Sequence, residues 1–263
     1  MDELTRPVTF LFALLVSLSA AIAADLPPVN DGNPHGDPPY LLEDGWKPLL
    51  NGKNLDGWYL KEPDKSGWTA TAGVFWGGPA APQQLLPTSG TGDRIINGPK
   101  GSTSNLITKE KFGDFELYVE FMIAATHNSG VMLHGLYEVQ IKDSYGVQTP
   151  KMNDSGGIYS RWEDKKLVGG AAPRVNASRP VGQWESFHIW FQAPRFDAAG
   201  RKTANAKVLR MLHNGVLIHE NVEIDQRTPS LDIPEAPTNP LMLQGDQGPV
   251  AFRSIYIRPL RRP

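Results

Sequence analysis

Residues 115–123 read FELYVEFMI. In them Phe115, Leu117, Val119, Phe121 and Ile123 alternate with Glu116, Tyr118, Glu120 and Met122. Successive side chains of a strand point to opposite faces, so this period of two predicts a half-buried β-strand. The same kind of run recurs as VMLH (131–134), LYEVQIK (136–142), SFHIWFQ (186–192), AKVLRML (206–212), GVLIHENVEI (215–224), LMLQ (241–244) and VAFRSIYIRPL (250–260). In the second of these, Tyr137, Val139 and Ile141 alternate with Glu138, Gln140 and Lys142. Asn214-Gly215 lies between two such runs and supplies the positive φ angles of a tight hairpin. Asn51-Gly52 and Asn97-Gly98 offer similar turns. Gly (26) and Pro (23) are too frequent to fit inside long helices, and no segment carries a long, capped helical stripe. The expected fold class is all-β: two antiparallel sheets packed as a sandwich, which buries many alternating strands at once.

The first residues are not expected to join that fold. Arg6 precedes the apolar run VTFLFALLVSLSAAIA (8–23), and Ala21-Ile22-Ala23 has the small-x-small pattern of a cleavage site. This predicts a secretory signal peptide over 1–23, cut near Ala23, because the apolar run is short for a spanning helix. The mature protein is then exported, periplasmic or extracellular, with no membrane attachment after cleavage. Residues 24–44 are rich in Pro, Gly, Asp and Asn and read as a flexible leader. Residues 45–263 read as a single sandwich domain without internal repeats. With no cysteine there is no disulfide, thiolate nucleophile or Cys-ligated zinc, so the core alone must hold the fold. The formal net charge of −2 argues against a nucleic-acid partner.

Familiar catalytic motifs are absent: no HExxH, no GxSxG, no phosphate-cradling glycine loop, and no pair of histidines at metal-ligand spacing. What remains is polar residues on strands. Glu120 and Glu138 fall on neighbouring predicted strands, Gln140 shares a face with Glu138, and Asn128 and His134 flank the strand between. Asp143, Tyr145 and Asp154 follow in the next connection; Gln244, Asp246 and Gln247 end the LMLQ run; Arg253 interrupts the last one. Taken singly, each has an ordinary explanation. Alternating polar residues line solvated sheet faces, an internal Arg is commonly half of an ion pair, and the seven Trp residues pack cores and rims. The convergence of Glu120, Glu138, Gln140 and Arg253 is what suggests a site.

Several stretches, in order, resemble one family: GWKPLLNGKNLDGWYL (45–60), LITKEKFGDFELYVEF (106–121), NSGVMLHGLYEVQIKDSYG (128–146), GGIYSRW (156–162), LHNGVLIHENVEI (212–224) and PLMLQGDQGPVAFRSIYIRPL (240–260). They are similar to the 3-keto-disaccharide hydrolase domain. The resemblance implies a concanavalin A-like jelly roll, export, and action on glycosides whose C3 hydroxyl has become a ketone. A C3 ketone acidifies the C2 proton, so a base can remove it, the enolate can expel the C1 substituent, and water can add back. Such a route needs a base at C2, a donor or cation at the C3 oxygen, and an acid at the leaving oxygen.

On this sequence, Glu138 or Glu120 would be the base, and Asp143 the acid or a metal ligand. Asn128, Gln140 and Tyr159 would hydrogen-bond hydroxyls, and Arg253 would stabilise enolate charge. His134, Gln244 and Gln247 complete the substrate-binding set. A divalent cation on the C3 oxygen would suit the chemistry, but its ligands are not legible. Two departures stand out: Gln247 where relatives are expected to carry His, and Met122 where an Arg-like residue is expected. Glutamine cannot take a proton at neutral pH, so a catalytic His there would leave this copy weaker or purely binding. A carbohydrate-binding module of the same fold is therefore the rival reading. A glucanase of the related sandwich class is disfavoured because its paired carboxylates on one strand are missing.

Overall fold

The computed structural model describes residues 38, 43–159, 161–225, 227–228 and 230–260. The expected signal peptide lies outside these residues, as does the leader apart from Pro38, Glu43 and Asp44. The alternating runs form two antiparallel sheets. From one edge, the larger sheet runs Val216–Ile224, Ala206–His213, Glu185–Gln192, Phe115–Ile123, Val250–Pro259, Arg94–Ile96, Thr69–Thr71, with Lys47–Pro48 also pairing to Val250–Pro259. The smaller runs Ile158–Tyr159, Tyr137–Lys142, Asn128–Leu133, Asn239–Leu243, Leu106–Phe112, Trp58–Leu60. Helix among the described residues amounts to one 3-10 turn, Pro63–Lys65. None is long and apolar enough to cross a membrane.

The sheets share one core. Leu117, Val119, Phe121, Phe187, Ile189, Phe191 and Phe252 from the larger sheet meet Val131, Leu133, Val139, Ile141, Leu241 and Leu243 from the smaller. Burial of this apolar surface is the main force holding the sandwich together. The alternation therefore sends the intervening residues outward, and each sheet has its own outer face. Glu116, Tyr118 and Glu120 line that of the larger sheet; Glu138, Gln140 and Lys142 line that of the smaller.

The turns follow local chemistry. Asn214 and Gly215 take φ of 51° and 81° and join Ala206–His213 to Val216–Ile224 as the dipeptide predicts. His134 (φ 54°) and Gly135 (φ 66°) close a second tight turn, with Leu136 N donating to Leu133 O. Val250–Pro259 carries a bulge between Arg253 and Tyr256, with Ser254 at φ 49°. The extra residue resets the phase, so Val250 and Phe252 point inward before it and Ile255 and Ile257 after it.

Candidate functional site

The smaller sheet's outer face is ordered in rows by strand register. Tyr159, Glu138, Met132, Met242, Ile107 and Tyr59 form one row across all six strands. Its middle is greasy: Ile107, Met132 and Met242 pack under Leu231. The segment bearing Leu231 is tied down by Thr228 N to Leu136 O, Thr228 Oγ1 to Tyr159 O, and Ser230 Oγ to Gly135 O. The next row holds Gln140, Gly130 and Gln244, whose N donates to Gly130 O. The third pairs Lys142 with Asn128. Lys142 Nζ lies 3.2 Å from Asp154 Oδ1, and Asp154 is buried in a turn closed by Lys151 N on its other oxygen.

Glu138 sits where the apolar cover ends. Gly130 beneath it lacks a side chain, and Glu138 bends across that gap: a Cβ on Gly130 would fall 2.6 Å from Oε1. The Gln140 amide, oriented by its neighbours, donates to Glu138 Oε1 at 3.1 Å and to Ser129 O at 2.9 Å. Glu138 is 5% exposed. Loss of water, and then the charge of Asp246, push its carboxyl up to about 8. Close by, Gln244 Oε1 is shielded and has no donor among the described residues, an unmet acceptor of the kind that ligand hydroxyls satisfy.

Of the expected site residues, Glu138, Gln140, Asn128, Tyr159 and Gln244 share this face. Gln247 is exposed at the tip of the following loop. Asp246, seen in the sequence only as a neighbour of Gln244, acts electrostatically on Glu138 and belongs with it.

Four expectations need correction. Glu120 is not on this face: Val119 and Phe121 point into the core, so Glu120 faces away from Glu138 across a core about 10 Å thick. Arg253 lies on the same far face, opposite Glu120 in register, paired to it through Nε and stacked 4.3 Å over Trp184. It cannot meet an enolate formed at Glu138. Tyr118 donates to the other Glu120 oxygen, which completes a structural cluster. His134 is wholly buried in its turn, Nε2 against Gly113 O at 3.1 Å and ring against Phe191, and burial lowers its proton affinity. Asp143 lies beyond the strand end and accepts from Thr126 N at 2.9 Å, capping a turn in which Thr126 has φ 64°. That carboxylate is committed to the turn and lies past the end of the strand that carries Glu138.

A direct consequence is testable. Glu120→Gln should lower stability by about 1–3 kcal/mol, since it leaves Arg253 without its counter-charge. It should leave turnover unchanged. A loss of activity out of proportion to the loss of folded protein would return Glu120 to the site.

The described residues give no carboxylate or histidine set for a cation. Among the described residues no three His, Asp or Glu side chains converge as ligands, and Gln140 turns nitrogen rather than oxygen toward Glu138.

Comparison with known proteins identifies the family. No curated protein matches the chain significantly. Among solved structures, it is similar to a candidate glycosyl hydrolase from Parabacteroides distasonis ATCC 8503, with 27% identity, 82% of this chain and 84% of that one covered, and a TM-score of 0.58. A second candidate glycosyl hydrolase from the same organism shares 17% identity, covering 87% of this chain and 100% of the other with a TM-score of 0.54, which supports the sandwich fold alone. The model of the 3-keto-alpha-glucoside-1,2-lyase-like domain matches residues 45–258. That span covers both sheets but for the last residue of the final strand, and the chain belongs to this 3-keto-glycoside lyase and hydrolase family.

Proposed function

We propose that the protein is an exported enzyme that cleaves 3-keto glycosides, with Glu138 as the base. The observation that carries this reading is a carboxyl on the outer face of the smaller sheet, shielded from water and bonded to the Gln140 amide, with its proton affinity raised to about 8. At neutral pH about one such carboxylate in ten is ionised. A base this strong suits a carbon acid better than an ordinary surface carboxylate does.

The steps balance as follows. Glu138 takes the C2 proton, and the C–H electron pair forms the C2=C3 bond as negative charge moves to the C3 oxygen. The enolate collapses, a C1=C2 bond forms, and the C1–O bond breaks with its electrons on the leaving oxygen. The proton held by Glu138 is available to that oxygen. Water then adds across C1=C2, hydroxyl to C1 and proton to C2, giving the free 3-keto sugar. Asn128, Gln140, Tyr159 and the unmet acceptor of Gln244 would hold the hydroxyls.

The test is incubation of the mature protein with a 3-keto-α- and a 3-keto-β-glucoside in D2O, followed by mass analysis. Cleavage with deuterium at C2 of the released 3-keto sugar is the expected result. Saturable binding without cleavage would instead identify a binding module.

A further inference from the structure

The loop after Gln244 carries the exposed residues Asp246 and Gln247, yet its backbone is held along its length. Gln244 O accepts from Ser129 Oγ at 2.8 Å. Gly245 N donates to Asn105 Oδ1 at 2.9 Å, and Gly245 O accepts from Thr103 N at 2.9 Å. The largest share falls to one side chain. Asn97, fully buried, donates from Nδ2 to both Gly245 O (2.9 Å) and Gly248 O (2.8 Å), and accepts from Val250 N at 2.8 Å through Oδ1. It thus grips the chain on both sides of the Asp246-Gln247 tip. Gly248 in turn lies against His127, the residue before Asn128: a Cβ there would fall 2.4 Å from His127 Nδ1. A buried amide that satisfies three backbone groups of one loop fixes that loop's path, because releasing it would strand those groups away from water.

We propose that Asn97 is a positioning residue of the Glu138 site, holding the 244–250 loop so that Gln244 and Asp246 keep their place beside the Gly130 and Glu138 strands. The inference rests on the reading of Glu138 given above. The groups around Glu138 are Asp246 on this loop, Tyr159 on the edge strand, Gln140 on its own strand, and Lys142 with Asp154 further along. On its far side Asp246 acts on Lys65, itself paired with Glu62. Asp246 is the acidic neighbour whose charge disfavours ionised Glu138, and its effect depends on where the loop holds it.

The experiment is a pH profile of kcat/KM for a 3-keto-glucoside on the mature chain, with four variants: E138Q, D246N, N97A and N97D. The last keeps the acceptor for Val250 N but loses both donors. E138Q is the gate: if it turns over normally, the underlying reading fails and this one with it. With E138Q inactive, D246N should move the limb near pH 8 downward by about half a unit, as removal of one partly screened charge does. N97A and N97D should move it the same way and raise KM, while folded protein by circular dichroism stays normal at assay temperature. The melting temperature should fall in either case, because buried backbone groups lose their partner, but a merely structural asparagine would leave the limb in place. An unmoved limb in D246N, or in a folded Asn97 variant, overturns the proposal while the reading of Glu138 stands.

Discussion

Glu138→Gln is expected to lower turnover of a 3-keto-glucoside by about 10³-fold, the middle of the range for a general base. The glutamine keeps the shape of the side chain and still accepts from the Gln140 amide, so packing over Gly130 is preserved while the proton acceptor is lost. Stability should change in the opposite direction, and the sign follows from linkage. The folded carboxyl holds its proton up to about 8, whereas the unfolded one releases it near 4.5. The folded state thus binds more protons between these values. Its advantage is complete below about pH 4.5 and is lost as pH rises through 8. At about 1.4 kcal/mol per pH unit, the loss has an upper bound of about 5 kcal/mol. E138Q has no proton to lose. Its melting temperature should match the wild type near pH 5 and exceed it at pH 9. Normal turnover in E138Q would remove Glu138 from the chemistry, and equal melting temperatures at pH 9 would mean that the native carboxyl is not held neutral.

Periodicity made the sandwich legible and left the site half legible, for a geometric reason. Alternation tells inside from outside on each strand, and it placed Glu120 and Glu138 correctly on outward sets. A sandwich has two outsides. Which one a strand presents depends on the sheet it joins, and that is set by pairing between residues more than a hundred positions apart, such as Arg253 with Glu120 or Met242 with Met132. Glu138, Gln140 and Lys142 share a strand, so their common face followed from spacing alone. Glu120 and Arg253 were joined to them without that support. His134 was misplaced for a local reason: its left-handed backbone turns it back against Phe115 and Phe191. The dipeptide His-Gly, both residues at positive φ, was the overlooked turn signal. Asp246 lies on a loop, where no periodicity operates, and its relation to Glu138 appears only once Gln244 is seen bonded to Gly130.

Gly130→Ala carries the second large effect, because it tests the pose of Glu138 rather than its identity. Gly130 lies mid-strand outside the left-handed region, so alanine meets no backbone strain there. The new Cβ would fall 2.6 Å from Glu138 Oε1, closer than real contacts allow, and 3.0 Å from its Cγ, a tight one. The obstacle is the end of a flexible side chain, so Glu138 gives way and the fold stands. Displacement by about 1 Å at a reacting group can cost about 100-fold. G130A should therefore lose about two orders of magnitude in kcat with a stability change within about 1 kcal/mol, as expected where a strand glycine gains a side chain that its neighbour can accommodate. The limb of its pH profile should also move below 8, because a carboxyl pushed out of its shielded place regains water and ionises more readily. E138Q and G130A together separate two ideas that either variant alone would confound. If G130A retained wild-type kcat while E138Q was inactive, the carboxyl would still be required, but from some other conformation, and the gap above Gly130 would no longer be where the sugar reacts.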